Sequence, residues 1–145
     1  MRSCKPHGTV AGLTAALLVI TTGLAQAAVT WDSDGITTVG PIDGNGDWLA
    51  SGLWWNGTTN VDWTSGDDAI FGVGGFGGIV TLSGPTTAGS LTFNSFFGTY
   101  TLGTAGNTLT LTNGLTMNSG AGSVDIISPI SLGAAQSWTN NSYSL

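Results

Sequence analysis

Ile79-Val80-Thr81-Leu82, Leu91-Thr92-Phe93, Tyr100-Thr101-Leu102, Leu109-Thr110-Leu111, Leu115-Thr116-Met117 and Val124-Asp125-Ile126 are short runs in which apolar and polar residues alternate. Gly, Asn and Ser stand between them. Alternation of period two, β-branched residues and turn formers between the runs predict strands. No apolar period of 3.6 residues competes with this pattern, and each glycine would weaken a helix by about 1 kcal/mol relative to alanine. No helix is expected after residue 27.

Two architectures accommodate many short strands with polar breaks: a parallel β-helix and an antiparallel β-sandwich or barrel. A solenoid repeats at a fixed period. An offset of 20 residues lays Val80-Thr81-Leu82 on Tyr100-Thr101-Leu102, Leu91-Thr92 on Leu111-Thr112 and Gly78 on Gly98. One turn of a three-faced coil would use about that many residues. Stacked coils place like side chains in ladders, with Leu, Val, Ile and Phe inside and Thr, Ser and Asn outside. Ladders of charge would repel. Of the 77 residues from 69 to 145, Asp125 alone is charged, and 36 are Gly, Ser or Thr, which agrees with a stacked design. The expected fold is therefore all-β: a right-handed parallel β-helix over 69–145, incomplete at its end, with the antiparallel β-sandwich as the alternative.

The charge map also bounds function. After His7 there is no Lys, Arg or His, after Cys4 no Cys, and Glu is absent throughout. No imidazole base, thiol nucleophile or amine for a Schiff base remains, and no cation to clamp phosphate or neutralise a nucleic-acid backbone. With one cysteine in the chain, no intramolecular disulfide can form. Positive charge is confined to the start, where Arg2 and Lys5 precede the apolar run from Val10 to Leu24 and the small-x-small site Ala25-Gln26-Ala27. That order predicts a secretory signal peptide over 1–27, cleaved after Ala27. The apolar run is short of the roughly 20 residues that span a bilayer, so no membrane insertion of the mature chain is expected.

Residues 28–68 differ in composition from 69–145. They carry Trp31, Trp48, Trp54, Trp55 and Trp63, and seven of the eight aspartates. A β-helix needs its ends covered against edge pairing, and this stretch lies where an N-terminal cap belongs. Its tryptophans, each able to bury about 150–250 Å², supply the cover.

Trp31-Asp32, Gly46-Asp47-Trp48, Trp54-Trp55-Asn56-Gly57, Trp63 and Gly66-Asp67-Asp68-Ala69-Ile70-Phe71-Gly72 form an ordered series. With Val80-Thr81-Leu82, Leu91-Thr92-Phe93 and the tail from Leu132 to Ser142, it resembles the N-terminal portion of bacterial proteins with autotransporter-associated β-strand repeats. The resemblance implies a β-helical passenger region of an exported protein, carried to the cell surface or outer membrane. The chain departs from that family's pattern in lacking a Gly-x-Gly-x-Leu-x-Leu-x-Gly segment and a C-terminal translocator barrel or anchor. A fragment, a truncated product or a short relative is the expectation.

Candidate sites are few. Asp43, Asn45 and Asp47 in Asp43-Gly44-Asn45-Gly46-Asp47 alternate oxygen ligands as a calcium loop does, with a plain Asp/Gly turn as the competing reading. The EF-hand's later glycine and glutamate positions are Trp48 and Trp54. No other cofactor is expected. Asp67 and Asp68 are adjacent, and adjacent strand residues point to opposite faces, which does not suit paired glycosidase carboxylates. No catalytic residue is assigned, and a polysaccharide-cleaving β-helix using aspartates is the remote alternative. Trp54 and Trp55 are candidate glycan contacts. On a strand one faces in and the other out, although closely spaced tryptophans first suggest a core. The expected role is a non-enzymatic exported structural or surface-display segment, with a carbohydrate-binding module as the alternative. The expected partners are a surface glycan or a second chain, met through the open end of the coil.

Overall fold

In the computed structural model, residues 26–142 are described. The proposed signal peptide lies, but for Gln26 and Ala27, outside them. The described chain is all strand and turn: β1 (Ala28–Trp31), β2 (Gly46–Asp47), β3 (Trp54–Trp55), β4 (Asn60–Val61), β5 (Asp68–Phe71), β6 (Ile79–Thr81), β7 (Thr86–Phe93), β8 (Thr99–Leu102), β9 (Leu109–Met117), β10 (Ser123–Ile126), β11 (Ile130–Leu132) and β12 (Ser137–Asn140). The strands form two sheets. One runs β11-β9-β7-β5-β1-β3-β4, with β12 also on β9, and the other runs β10-β8-β6-β2. Every pair is parallel except β1–β3 and β3–β4. The fold is a β-solenoid of about three turns.

The antiparallel sandwich is excluded by the same pairing. β6 and β7 follow one another in the chain yet belong to different sheets, and each pairs in parallel with a strand from a neighbouring coil. The long strands β7 and β9 each serve two faces. The first half of β9 holds β11 and its second half holds β12. The register between β7 and β9 slips between Ala88 and Ser90, at the corner that separates the faces. Gly89 and Gly114 occupy that corner. Gly114 has φ +134°, and a Cβ on it would strike the Ser137 carbonyl of the next coil. A side chain at either position would push adjacent coils apart.

The 20-residue period is corrected by the register. Val80 lies opposite Leu102, and Leu91 opposite Leu115. The spacings are thus 22 and 24, against the expected 20. Both errors are even. A shift by two or four residues leaves every side chain on its original face, so alternation alone could not detect it.

The ladders explain why these residues stack. Val29, Ala69, Leu91, Leu115 and Trp138 are successive partners on the inner side of one face. Between them on the outer side run Thr30, Ile70, Thr92, Thr116 and Thr139. At a corner Asn118 Nδ2 donates to Asn94 Oδ1 at 2.8 Å. Neutral outer ladders let coils approach to strand spacing without repulsion. Asp125, the one charge after residue 68, is exposed and faces Thr101 rather than another charge.

The Trp-rich stretch closes the first coil. Trp31, Trp48 and Trp54 are wholly buried, with Trp63 packed against them. Trp54 meets Trp31 at 5.3 Å, Trp48 at 4.9 Å and Trp63 at 4.7 Å between ring centroids. The cluster continues through Phe71 onto Phe93 and Tyr100. β3 and β4 meanwhile cover the free edge of β1. The cap is not separate from the coil, since β1 and β2 already occupy parallel ladder positions beside β5 and β6.

Candidate functional site

The loop from Asp43 to Asp47 passes between the cap and the first full coil. Asp43 is buried there, and its carboxylate meets four donors. The backbone N–H groups of Gly72, Val73 and Gly75 donate at 3.1, 2.9 and 2.8 Å, and the Tyr100 hydroxyl donates at 2.6 Å. Burial first, and then the hydrogen bond and charge of Asp43, hold the Tyr100 phenol well above its ordinary pKa. The tyrosine stays a donor through the neutral range. This contact ties the cap to two later coils, because Gly72–Gly75 follow β5 and Tyr100 lies on β8.

The other oxygens of the loop turn elsewhere. Asn45 Oδ1 accepts from Ile79 N at 2.7 Å. Asp47 accepts from Leu49 N and from the hydroxyls of Thr81 and Ser83. Among the described residues no group of three His, Cys, Asp or Glu side chains converges as a metal site. The geometry of Asp43, Asn45 and Asp47 is that of side chains fastening one coil to the next, each with its oxygens already engaged by the chain.

Trp54 and Trp55 divide as neighbours on a strand must. Trp54 is fully buried and donates its indole N–H to Trp48 O at 2.9 Å. Trp55 is half-buried and pairs across the strands with Asn60. The Asn60 amide reaches back to Asp32 Oδ2 at 2.7 Å, and Asp32 Oδ1 accepts from Ile42 N. Asp67 is buried, whereas Asp68 lies along the outside and accepts from both the N–H and the hydroxyl of Ser90. Asp62, exposed, is held below the usual carboxylate range by the Ser51 hydroxyl and then by Gly52 N–H. Asp32, Asp62 and Asp68 fasten turns and coils.

The opposite end of the molecule presents a different surface. The interior of the last coil opens into an apolar cavity of about 350 Å³, lined by Leu115, Met117, Val124, Ile126, Ile130 and Trp138. Leu115, Met117, Val124 and Ile126 belong to strands that alternation predicts, but a single strand carries no sign of whether another coil lies beyond it. Sequence reasoning also missed Phe76 and Phe97. They are exposed on successive coils, bridged in parallel, with ring centroids 5.8 Å apart. The alternation rule did not cover the Gly-rich loops that hold them.

The chain is similar to the adhesin BmaC autotransporter of Brucella suis biovar 1 (strain 1330), at 40% identity over an alignment of 101 positions. The match takes in 59% of this chain and spans only 3% of that protein. No family model matches the chain, and no solved structure matches it.

Proposed function

We propose that the chain is a non-enzymatic passenger-type segment of an exported protein, built to display or extend a surface rather than to transform a substrate. The observation that carries this reading is the parallel stack with neutral outer ladders and a sealed first coil. Such a stack grows coil by coil and leaves little backbone free for proteases. Similarity to an autotransporter adhesin supports a cell-surface or outer-membrane location. The chemistry of the side chains supports it as well. Asp32, Asp34, Asp43, Asp47, Asp62 and Asp68 are engaged in holding turns and coils, and no basic residue follows His7.

Export is the testable core of the reading. Expressed in a Gram-negative host, the chain is expected outside the cytoplasm with Ala28 as its first residue, as read by mass spectrometry. Recovery in the cytoplasm with residues 1–27 intact would overturn it. A second reading, glycan binding, is favoured by one observation. Trp55 is half-buried beside Asn60, where a sugar could stack on an aromatic. Binding on a glycan array that is lost in Trp55→Ala, with the circular dichroism unchanged, would support that reading. An array without binding would remove it.

A further inference from the structure

The first strand follows the small-x-small site Ala25-Gln26-Ala27 without a spacer, since β1 begins at Ala28. Ala27 already joins the sheet through its backbone: its carbonyl accepts from Asp68 N at 2.8 Å. Ala28, Val29 and Thr30 then lie opposite Asp68, Ala69 and Ile70. Gln26 is held as well. Its Oε1 accepts from Asn113 Nδ2 at 3.0 Å, and a Cβ on Gly89 would strike the same oxygen. Just beyond the site the strand is sealed, with Val29 2% and Trp31 0% exposed.

We propose that the folded first coil locks the Ala27–Ala28 bond against the peptidase that removes the leader, so that cleavage comes before β1 docks on β5. This rests on the export reading and adds an order of events to it. The side chains of Gln26, Ala27 and Ala28 are exposed. A peptidase, however, grips its substrate by the backbone, as an extended strand that pairs with the enzyme. Here Asp68 already holds the carbonyl on one side of the bond, and the residues on the other side are paired with β5. Freeing them means lifting β1 from β5 and drawing Val29 and Trp31 out of the core. Cleavage of the folded chain is then slowed by the rarity of that local opening.

Topology sets the timing. The parallel partner of Ala28 is Asp68, and β2, β3 and β4 all intervene in the chain before β5 begins. β1 therefore cannot be locked until those segments have followed it. In a chain that emerges from its N-terminal side, the bond is free while they pass and is covered once Asp68–Phe71 arrive. A hairpin partner joined by a loop of about two to five residues would have closed the site far sooner. The Ala27–Asp68 hydrogen bond belongs to the uncut chain alone, because the Ala27 carbonyl departs with the leader.

Digestion of the full chain by a purified signal peptidase in detergent micelles tests this. The refolded chain is expected to be cut after Ala27 at least about a hundredfold more slowly than the same chain diluted straight from urea. A flexible Gly/Ser spacer of about six residues inserted after Ala28 is expected to restore rapid cutting of the folded chain. The melting curve of that variant checks that its solenoid is intact. Equal rates for the refolded and the urea-diluted chain would overturn the lock. So would a folded spacer variant that stays resistant, since the resistance would then not come from β1. A chain left uncut after Ala27 even when unfolded would overturn the export reading itself, and the lock with it.

Discussion

Leu91 and Leu115 are neighbours in one ladder, with the same side chain and the same inward direction, yet Leu91 is fully buried and Leu115 is not. The difference lies in the coil stacked above each of them. Leu91 has a complete coil above it, while Leu115 has only the short strands β11 and β12. In a solenoid each coil is stabilised by its neighbours and by nothing more distant. Burial is therefore a property of position along the stack as much as of residue type. The N-terminal end resolves its edge with antiparallel strands, indoles and a buried carboxylate. At the C-terminal end no such closure is present among the described residues.

The contrast between the ends is most exposed to test at the closed one. Asp43→Ala leaves three backbone N–H groups and the Tyr100 hydroxyl without their acceptor, and is expected to cost about 4 kcal/mol in urea unfolding. A loss below about 1 kcal/mol would mean that the aromatic cluster closes this end without Asp43. The Leu pair tests the gradient between them. Leu91→Ala is expected to cost about 3 kcal/mol and Leu115→Ala about 1 kcal/mol, because only the first leaves an enclosed cavity. Equal losses would show that the last coil is as well covered as the middle ones.

Alkaline titration probes the same anchor from another side. Tyr100 has its folded pKa raised above its ordinary 10.0. Its contribution is whole below about pH 10 and is lost as the pH climbs from there toward the folded value. Stability should fall above pH 10, and Tyr100→Phe should flatten that fall while losing about 1 kcal/mol at neutral pH. A slope unchanged by the substitution would refute the coupling. The smallest effect belongs to the open end. Trp138→Ala should shift the unfolding of the chain by no more than about 0.5 kcal/mol, since an exposed side chain has little burial to lose.

Much of this organisation could be read from single residues. Period-two alternation marked the strands at Ile79, Leu91, Tyr100 and Leu109, because each alternates between the interior and water. Neutral threonines pointed to stacking, and the spaced tryptophans to a cap. The exact period was not legible, because an even slip keeps each side chain on its face. Nor was the partner of Asp43. Only the approach of Gly72–Gly75 and Tyr100, 29 to 57 residues away, makes the Asp43 carboxylate a clamp between coils.

By itself, the sequence determined an all-β chain without basic chemistry after His7, with indoles and carboxylates near one end and neutral alternating strands beyond. Those are local properties: the period of a strand, the charge of a side chain and the size of a ring. Only the tertiary structure decided that coils of 21 to 24 residues stack in parallel, that Trp54 is sealed while Trp55 is half in water, and that the interior opens at Trp138. The physical reason is that coil-to-coil register and end burial depend on contacts between residues more than 20 positions apart, which no local pattern encodes.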